Sequence, residues 1–329
     1  MTTVGVIGAG AWGTALACAA RRAGNDVLIQ AYEPEVADAI NLSHSNPTYL
    51  PNTNLDPHIK ATPDLSDLKG CDVILFVAPA QFVRSTAQQL KPNLKKGTPL
   101  LICAKGIELE SGKLMSEVLG EELPGAEIGI LSGPTFASEV ANGLPSACTL
   151  AMDNSDQAME IAKMIGSSRF RIYASDDIIG AQIGGAVKNV LAIASGMVSG
   201  KGFGDNARAA LITRGISELA RLGVAKGAKS ETLMGLSGMG DLTLTCNSMQ
   251  SRNFSLGVAL GQGEKLDDIL KVRKAVTEGV FTARSVCKLA ASLHVEMPIC
   301  AAVNEILNKG ADLNQVVDML LSRPFKEEM

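Results

Sequence analysis

No two cysteines in this chain stand at C-x-x-C spacing. The seven present (Cys18, Cys71, Cys103, Cys148, Cys246, Cys287, Cys300) are odd in number and scattered. That excludes a zinc ribbon or a disulfide framework and fits buried thiols in a reducing cytoplasm. Histidine is scarcer still. His44, His58 and His294 share neither metal-ligand nor triad spacing, so they read as surface or loop residues, and no metal is expected. Basic runs are missing, and with a net charge of −4 a nucleic-acid partner has no electrostatic footprint. The N-terminus enters an apolar strand without a charged n-region, an h-region or a cleavage site, so a cytoplasmic location is expected. One stretch, Ile178 to Val198, has the length and apolarity of a membrane span. Lys188 and Asn189 occupy its centre among glycines and serines. It reads as a core helix, without stable membrane insertion.

What is present is a chain of 329 residues, 46% hydrophobic and 19% charged, large enough for two domains with their own cores. Its organising stretch lies at the start. Val4 to Ile7 is an apolar, β-branched strand, Gly8, Gly10 and Gly13 follow as G-x-G-x-x-G, and Thr14 to Arg22 reads as a helix. Gly8 permits a tight turn, Gly10 lets a pyrophosphate approach the backbone, and Gly13 lets helix pack on strand. The helix N-terminus supplies unpaired N–H groups and a partial positive charge. A second strand, Asp26 to Ala31, leads to Glu33, about 20 residues past the motif, where a ribose-binding acid belongs.

Asn41 to Pro63, rich in proline and asparagine, reads as a loop excursion. Strands are then expected at Cys71–Ala78, Pro99–Ala104, Glu127–Leu131, Ala147–Met152 and Phe170–Tyr173. Helices are expected at Gln81–Leu90, Ser116–Leu119, after Ser132-Gly133-Pro134-Thr135, and at Ser155–Ile165. This alternation implies an α/β fold with a mainly parallel Rossmann-type sheet. From Asp176 only helical segments follow. The expected division is 1–178 for a dinucleotide-binding domain and 179–329 for an all-helical catalytic and substrate-binding domain. The strand tips at Gly8, Ala78 and Lys105 should face one crevice.

Several residues invite chemistry. Lys188 stands in G-G-A-V-K-N-V-L with apolar or small neighbours on every helical face. A buried ammonium is costly unless paired, and desolvation lowers its pKa toward the range of an acid/base catalyst. The alternative is a lysine that snorkels or sits in a structural ion pair. Gly184 and Gly185, one turn earlier, would leave room for a cofactor ring or substrate. Lys105 follows a strand tip, either lining the crevice or simply exposed. Asp241, within G-L-S-G-M-G-D-L-T-L-T-C, either pairs with Lys188 or caps a helix. Ser251-Arg252-Asn253 offers a guanidinium suited to a phosphate dianion, or merely a solvated arginine.

Together these motifs resemble the bacterial NAD(P)-dependent glycerol-3-phosphate dehydrogenases from Gly8 to about Pro298. The carriers are G-A-G-A-W-G-T-A-L-A, the A-K-G-I-E of Ala104–Glu108, S-G-P-T-F-A-S-E-V from Ser132, V-K-N-V-L-A-I-A-S-G from Val187, G-M-G-D-L-T-L-T-C from Gly238, S-R-N, and V-T-E-G-V from Val276. The resemblance implies reversible reduction of dihydroxyacetone phosphate to sn-glycerol 3-phosphate with NADH or NADPH, supplying phospholipid synthesis. It implies that Lys188 is the acid/base residue, that Lys105 binds substrate beside the cofactor, and that Asp241 holds the Lys188 network with help from Asn189 and Thr245. Ser251, Arg252 and Asn253 would bind substrate, with Arg252 on its phosphate and within reach of cofactor. Gly133 and Thr135 would line the substrate pocket. Ala11, Trp12, Ala137, Val276 and Glu278 join the glycines and Glu33 as cofactor positions. Thr135 replaces the serine of many relatives but keeps the hydroxyl. After the second strand the chain reads Ala31-Tyr32-Glu33-Pro34, without the arginine expected of NADP-preferring members. Glu33 would repel a 2′-phosphate, which favours NAD. Two other readings remain open here: a β-hydroxyacid dehydrogenase, which should lack S-R-N and G-M-G-D-L-T-L-T-C, and a non-catalytic nucleotide sensor. Apolar helices in the second half make a homodimer a further expectation.

Overall fold

The computed structural model describes residues 2–272 and 277–324. Its strands are β1 (Thr3–Ile7), β2 (Asp26–Gln30), β3 (Ser45–Asn46), β4 (Leu50–Asn54), β5 (Ile59–Thr62), β6 (Val73–Phe76), β7 (Leu100–Ile102), β8 (Ile128–Ser132), β9 (Ser146–Met152) and β10 (Phe170–Ser175). Among these run helices α1 (Ala11–Arg22), α2 (Pro34–Ser43), α3 (Val83–Leu90), α4 (Met115–Glu122), α5 (Ala137–Ala141) and α6 (Ser155–Ile165). After β10 come only helices among the described residues. They are α7 (Ile178–Gly200), α8 (Gly204–Lys226), α9 (Ser230–Leu233), α10 (Asp241–Cys246), α11 (Arg252–Gly261), α12 (Leu266–Val272), α13 (Glu278–Ser292), α14 (Pro298–Lys309) and α15 (Leu313–Leu321).

Eight strands form one sheet in the order β10-β9-β8-β7-β6-β1-β2-β5. All neighbours run parallel except β8 and β9, which are antiparallel. The apolar runs are buried because helices cover both faces. Alternation along each strand divides them. Val73, Leu75 and Leu101 enter one core, while Ile74, Phe76, Leu100 and Ile102 enter the opposite one. Strand order reverses at β1, with β2 on one side and β6 on the other. That switch point, beyond the carboxyl ends of the strands, is where a ligand crevice is expected.

The stretch from Asn41 to Pro63, expected to be loop, is more ordered than that. β3 and β4 pair as a small antiparallel sheet, and β5 joins the main sheet beside β2. Four residues, Ile-Lys-Ala-Thr, suffice for an edge strand whose terminal Ile59 and Thr62 are buried. The first helix also starts earlier than Thr14, at Ala11, directly after the glycine turn.

α7 is the axis of the helical half. Most of its most apolar window is buried in protein rather than exposed, and it packs against α8, α10, α11, α13 and α14. Its crossing with α11 is backbone to backbone. A Cβ on Gly196 would lie 2.1 Å from Phe254 O, and one on Gly257 2.1 Å from Ile193 O. Gly200 and Gly261 repeat the arrangement one turn on. α7 also packs on β8, which brings its buried lysine to the crevice.

Candidate active site

The glycine loop forms one end of the crevice. Gly8 has φ +100°, a left-handed conformation that suits glycine. A Cβ on Gly13 would stand 1.9 Å from Gly8 O, whereas one on Gly10 would meet nothing within 4 Å. The open side at Gly10 adjoins the N-terminus of α1, where Ala11 and Trp12 lie. The space and the free N–H groups there could hold a pyrophosphate. The Trp12 indole N–H is buried without a partner among the described residues, which suits a site completed by a bound group. Glu33 stands at the N-cap of α2, beyond the end of β2. Ala137 opens α5, which packs against α1.

The second centre is built by β7, β8, α7 and α10. Asp241 is fully buried, and its carboxylate binds two ammonium groups. Lys188 Nζ lies 2.7 Å from Oδ1 and Lys105 Nζ 2.6 Å from Oδ2. Lys188 also donates to Thr245 Oγ1 at 2.8 Å, and Thr245 donates to Asp241 at 3.3 Å. Lys105 donates to Gly133 O at 3.0 Å. An ammonium has three donors, so each lysine has one N–H without a partner among the described residues. Burial pushes the Lys188 amine down to about 8, against the opposing pull of Asp241, while Lys105 lowers it further. Asp241 is not an N-cap. Gly240 occupies that position, after a π-helical turn over Leu236–Gly240, and the carboxylate turns inward instead.

The third part is α11 with the start of α13. Ser251 caps α11 by accepting from Phe254 N at 3.1 Å. Asn253 donates to Asn189 Oδ1 at 2.9 Å and accepts from Gly279 N at 3.1 Å, while Asn189 donates to Lys105 O at 3.3 Å. This amide chain ties α7, α11 and α13 to the Lys105 loop. Arg252 reaches solvent, yet protein surrounds its guanidinium closely enough to lower its pKa, with Glu278 opposing. Glu278 accepts from Ala80 N at 3.2 Å. Burial raises its pKa against that bond and Arg252, and its Oε2 is buried without a partner among the described residues. Thr135 donates to Gly133 O at 3.3 Å.

Lys188, Lys105, Asp241, Thr245, Asn189, Asn253 and Gly133 are therefore one bonded cluster. The glycine loop and Glu33 form a separate centre, at a strand tip the crevice shares. Val276 lies outside the described residues. One expectation is corrected. Gly184 and Gly185 do not leave ligand space beside Lys188. A Cβ on Gly184 would collide with Ser237 O at 2.3 Å, and one on Gly185 would meet Ser132 Oγ at 2.9 Å and Lys105 Cγ at 3.4 Å. Their smallness admits protein. Two residues without a sequence signal also adjoin the glycine loop. Asn46 donates to Ala9 O and to Thr14 Oγ1, both at 2.8 Å, and Tyr49 donates to Glu33.

Comparison with known proteins agrees in one direction. The family description "NAD-dependent glycerol-3-phosphate dehydrogenase N-terminus" matches residues 3–158, and its C-terminus counterpart matches 177–318. A glycerol-3-phosphate dehydrogenase [NAD(P)+] of Rhodospirillum rubrum is 55% identical over 326 residues, 99% of this chain and 93% of that protein. One of Caulobacter vibrioides is 54% identical, covering 99% of this chain and 98% of that one. A crystal structure of glycerol-3-phosphate dehydrogenase from Coxiella burnetii superposes with a TM-score of 0.94 at 39% identity, covering 98% and 99% of the two chains.

Proposed function

We propose, for a chain that belongs to the NAD-dependent glycerol-3-phosphate dehydrogenase family, a division of labour among the residues of its crevice. The reaction is reversible reduction of dihydroxyacetone phosphate to sn-glycerol 3-phosphate with NAD(P)H. When bound, the dinucleotide supplies or accepts the hydride at C2. The Lys188 ammonium gives its proton to the developing C2 alkoxide, becomes a neutral amine, and regains a proton from solvent. In reverse, the neutral amine takes the hydroxyl proton. A positioned donor at that oxygen is worth roughly 10²–10⁴-fold. The observation that carries this reading is the buried Lys188 Nζ, held by Asp241 and Thr245 with one N–H left over.

Lys105 presents a second cation to the substrate, and Asp241 keeps both lysines aimed. Arg252 binds the phosphate dianion, for which a guanidinium is the natural partner. Asn189, Asn253, Ser251, Gly133 and Thr135 shape the pocket around it. Gly8, Gly10, Ala11, Trp12 and Gly13 receive the pyrophosphate, and Glu33 receives the adenosine ribose. Ala137 and Glu278 complete the cofactor side. The division is drawn at 178/179, at the first residue of α7, just after the last strand. The product serves phospholipid synthesis. A cytoplasmic location fits seven free thiols, and the working form is a homodimer.

The test is oxidation of NADH and of NADPH with dihydroxyacetone phosphate, for the wild type and Lys188→Met. The variant should lose roughly 10²–10⁴-fold in kcat while keeping its dissociation constant for NADH. Unchanged kcat would remove Lys188 from its role.

A further inference from the structure

The excursion between β2 and β5 has no place in the chemistry above, yet its side chains reach the cofactor end of the crevice. Asn46 is buried to 1% exposure. Its amide donates to Ala9 O, inside the glycine loop, and to Thr14 Oγ1, on α1. Its Oδ1 accepts the Tyr49 backbone N–H at 3.1 Å. The Tyr49 hydroxyl then donates to Glu33 Oε1 at 2.6 Å, the length of a charge-assisted bond to a carboxylate. The bond to Glu33 also pushes the Tyr49 phenol up to about 12, so it remains a donor across the working pH range. Glu33 Oε2 takes no bond among the described residues.

We infer that Asn46 and Tyr49 form a strut that locks the Glu33 carboxylate in place, and that Tyr49 is thereby a positioning residue for discrimination between NADH and NADPH. The inference rests on the ribose-binding reading of Glu33. The physical reason lies in what the two ribose groups demand. A 2′-hydroxyl is a donor and pairs with a carboxylate oxygen held still. A 2′-phosphate is a dianion and is tolerated only if that carboxylate can swing away. A free glutamate at a helix N-terminus can rotate out of the site. One oxygen pinned by Tyr49, itself pinned through Asn46 to the glycine loop, leaves Oε2 unpartnered among the described residues to receive the hydroxyl and removes the escape route. Specificity of this kind needs the repulsive element to be rigid. The strut also explains why an edge-strand excursion rich in proline is tied to the glycine loop by a fully bonded asparagine.

The experiment measures kcat/KM for NADH and NADPH in the wild type, Glu33→Gln, Tyr49→Phe and the double variant, with Tm recorded for each. Tyr49→Phe keeps the ring and removes only the donor. It should lower the NADH:NADPH preference roughly three- to tenfold, the range for loss of one ordinary hydrogen bond. Saturating kcat with NADH should stay within twofold or so, because the lysine cluster is untouched. In the Glu33→Gln background the same change should leave the ratio where it is, since Tyr49 acts through the carboxylate. If Glu33→Gln itself does not alter the ratio, the ribose reading fails. If it does but Tyr49→Phe does not, the strut alone is overturned. An equal loss for both cofactors, following Tm, would make the strut structural only and also overturn it. Dissociation constants for NADH and NADPH, read by nicotinamide fluorescence below Tm, give the same comparison should turnover be too low.

Discussion

Asp241 holds two ammonium groups on one carboxylate, and the three charges act on each other with known signs. Burial and Lys105 lower the Lys188 pKa, Asp241 raises it, and the balance lies at about 8. With Lys188 as the proposed proton donor, reduction uses the ammonium form, so kcat/KM for dihydroxyacetone phosphate should be level below that pH and fall about tenfold per unit above it. Oxidation of glycerol 3-phosphate uses the neutral amine and should rise through the same pH. Asp241→Asn keeps the shape and removes the attraction, so the midpoint should move down. Lys105→Met removes the repulsion, so it should move up. The pH profiles of the two variants give the check. A purely structural role for either residue would move neither midpoint, and shifts in one direction for both would contradict the charge balance. This cluster was half legible from sequence. A lysine among apolar residues is conspicuous in G-G-A-V-K-N-V-L, and an aspartate among glycines nearly so. That Asp241 lies between Lys188 and Lys105, 53 and 136 residues away in the chain, is information only the fold holds.

At the scale of elements, the proposed site depends on how α11 sits on α7, because one carries Arg252 and Asn253 and the other Lys188 and Asn189. Their glycines allow backbone contact, and backbone does not yield as a flexible side chain would. Gly257→Ala would place a Cβ 2.1 Å from Ile193 O and 2.9 Å from Gly196 Cα. The expected cost is about 1–3 kcal/mol or more, read as a lower Tm, with KM for dihydroxyacetone phosphate raised as the α11 N-terminus is displaced. Gly120→Ala, in α4 with nothing within 4 Å of its Cβ, should be neutral or slightly stabilising. Equal Tm changes for the two would dismiss the crossing as a structural determinant. α7 itself was legible, since its apolar run is long and the lysine at its centre argues against lipid. The partner of its glycines was not, because a missing side chain carries no sign of what approaches it. For the same reason Gly184 and Gly185 were open to a ligand in the sequence but are filled by Ser237, Ser132 and Lys105 in the fold. The sheet follows a similar rule. Doubly buried strands such as β1, β6 and β7 announce themselves as apolar runs. β5 is short and half polar at an edge, and the direction of β9 depends on a neighbour rather than on its own residues.

For the whole molecule the question is what covers α8 and the C-terminal helices. The second half of α7, with α8, α14 and α15, encloses a groove of about 1440 Å³ lined by residues such as Met197, Leu211, Ile299 and Val317. Phe203, Val224 and Leu321 stand 48%, 52% and 79% exposed along it. An apolar groove rimmed by polar residues is the kind of surface that takes a partner, and a second copy presenting the same face would close it with two-fold symmetry. The N-terminal half of α7 carries Lys188 into the crevice while its C-terminal half lines the groove, so the two surfaces share one rigid helix without sharing residues. Sedimentation equilibrium should therefore give about twice the 34.3 kDa of the chain. Val224→Glu should shift the population to monomer by placing a charge in the covered face, with NADH affinity retained because no cofactor position lies in the groove. A wild type that sediments as a monomer at micromolar concentration would leave the groove to another occupant and end the dimer reading. A dimer unmoved by Val224→Glu would place the interface elsewhere.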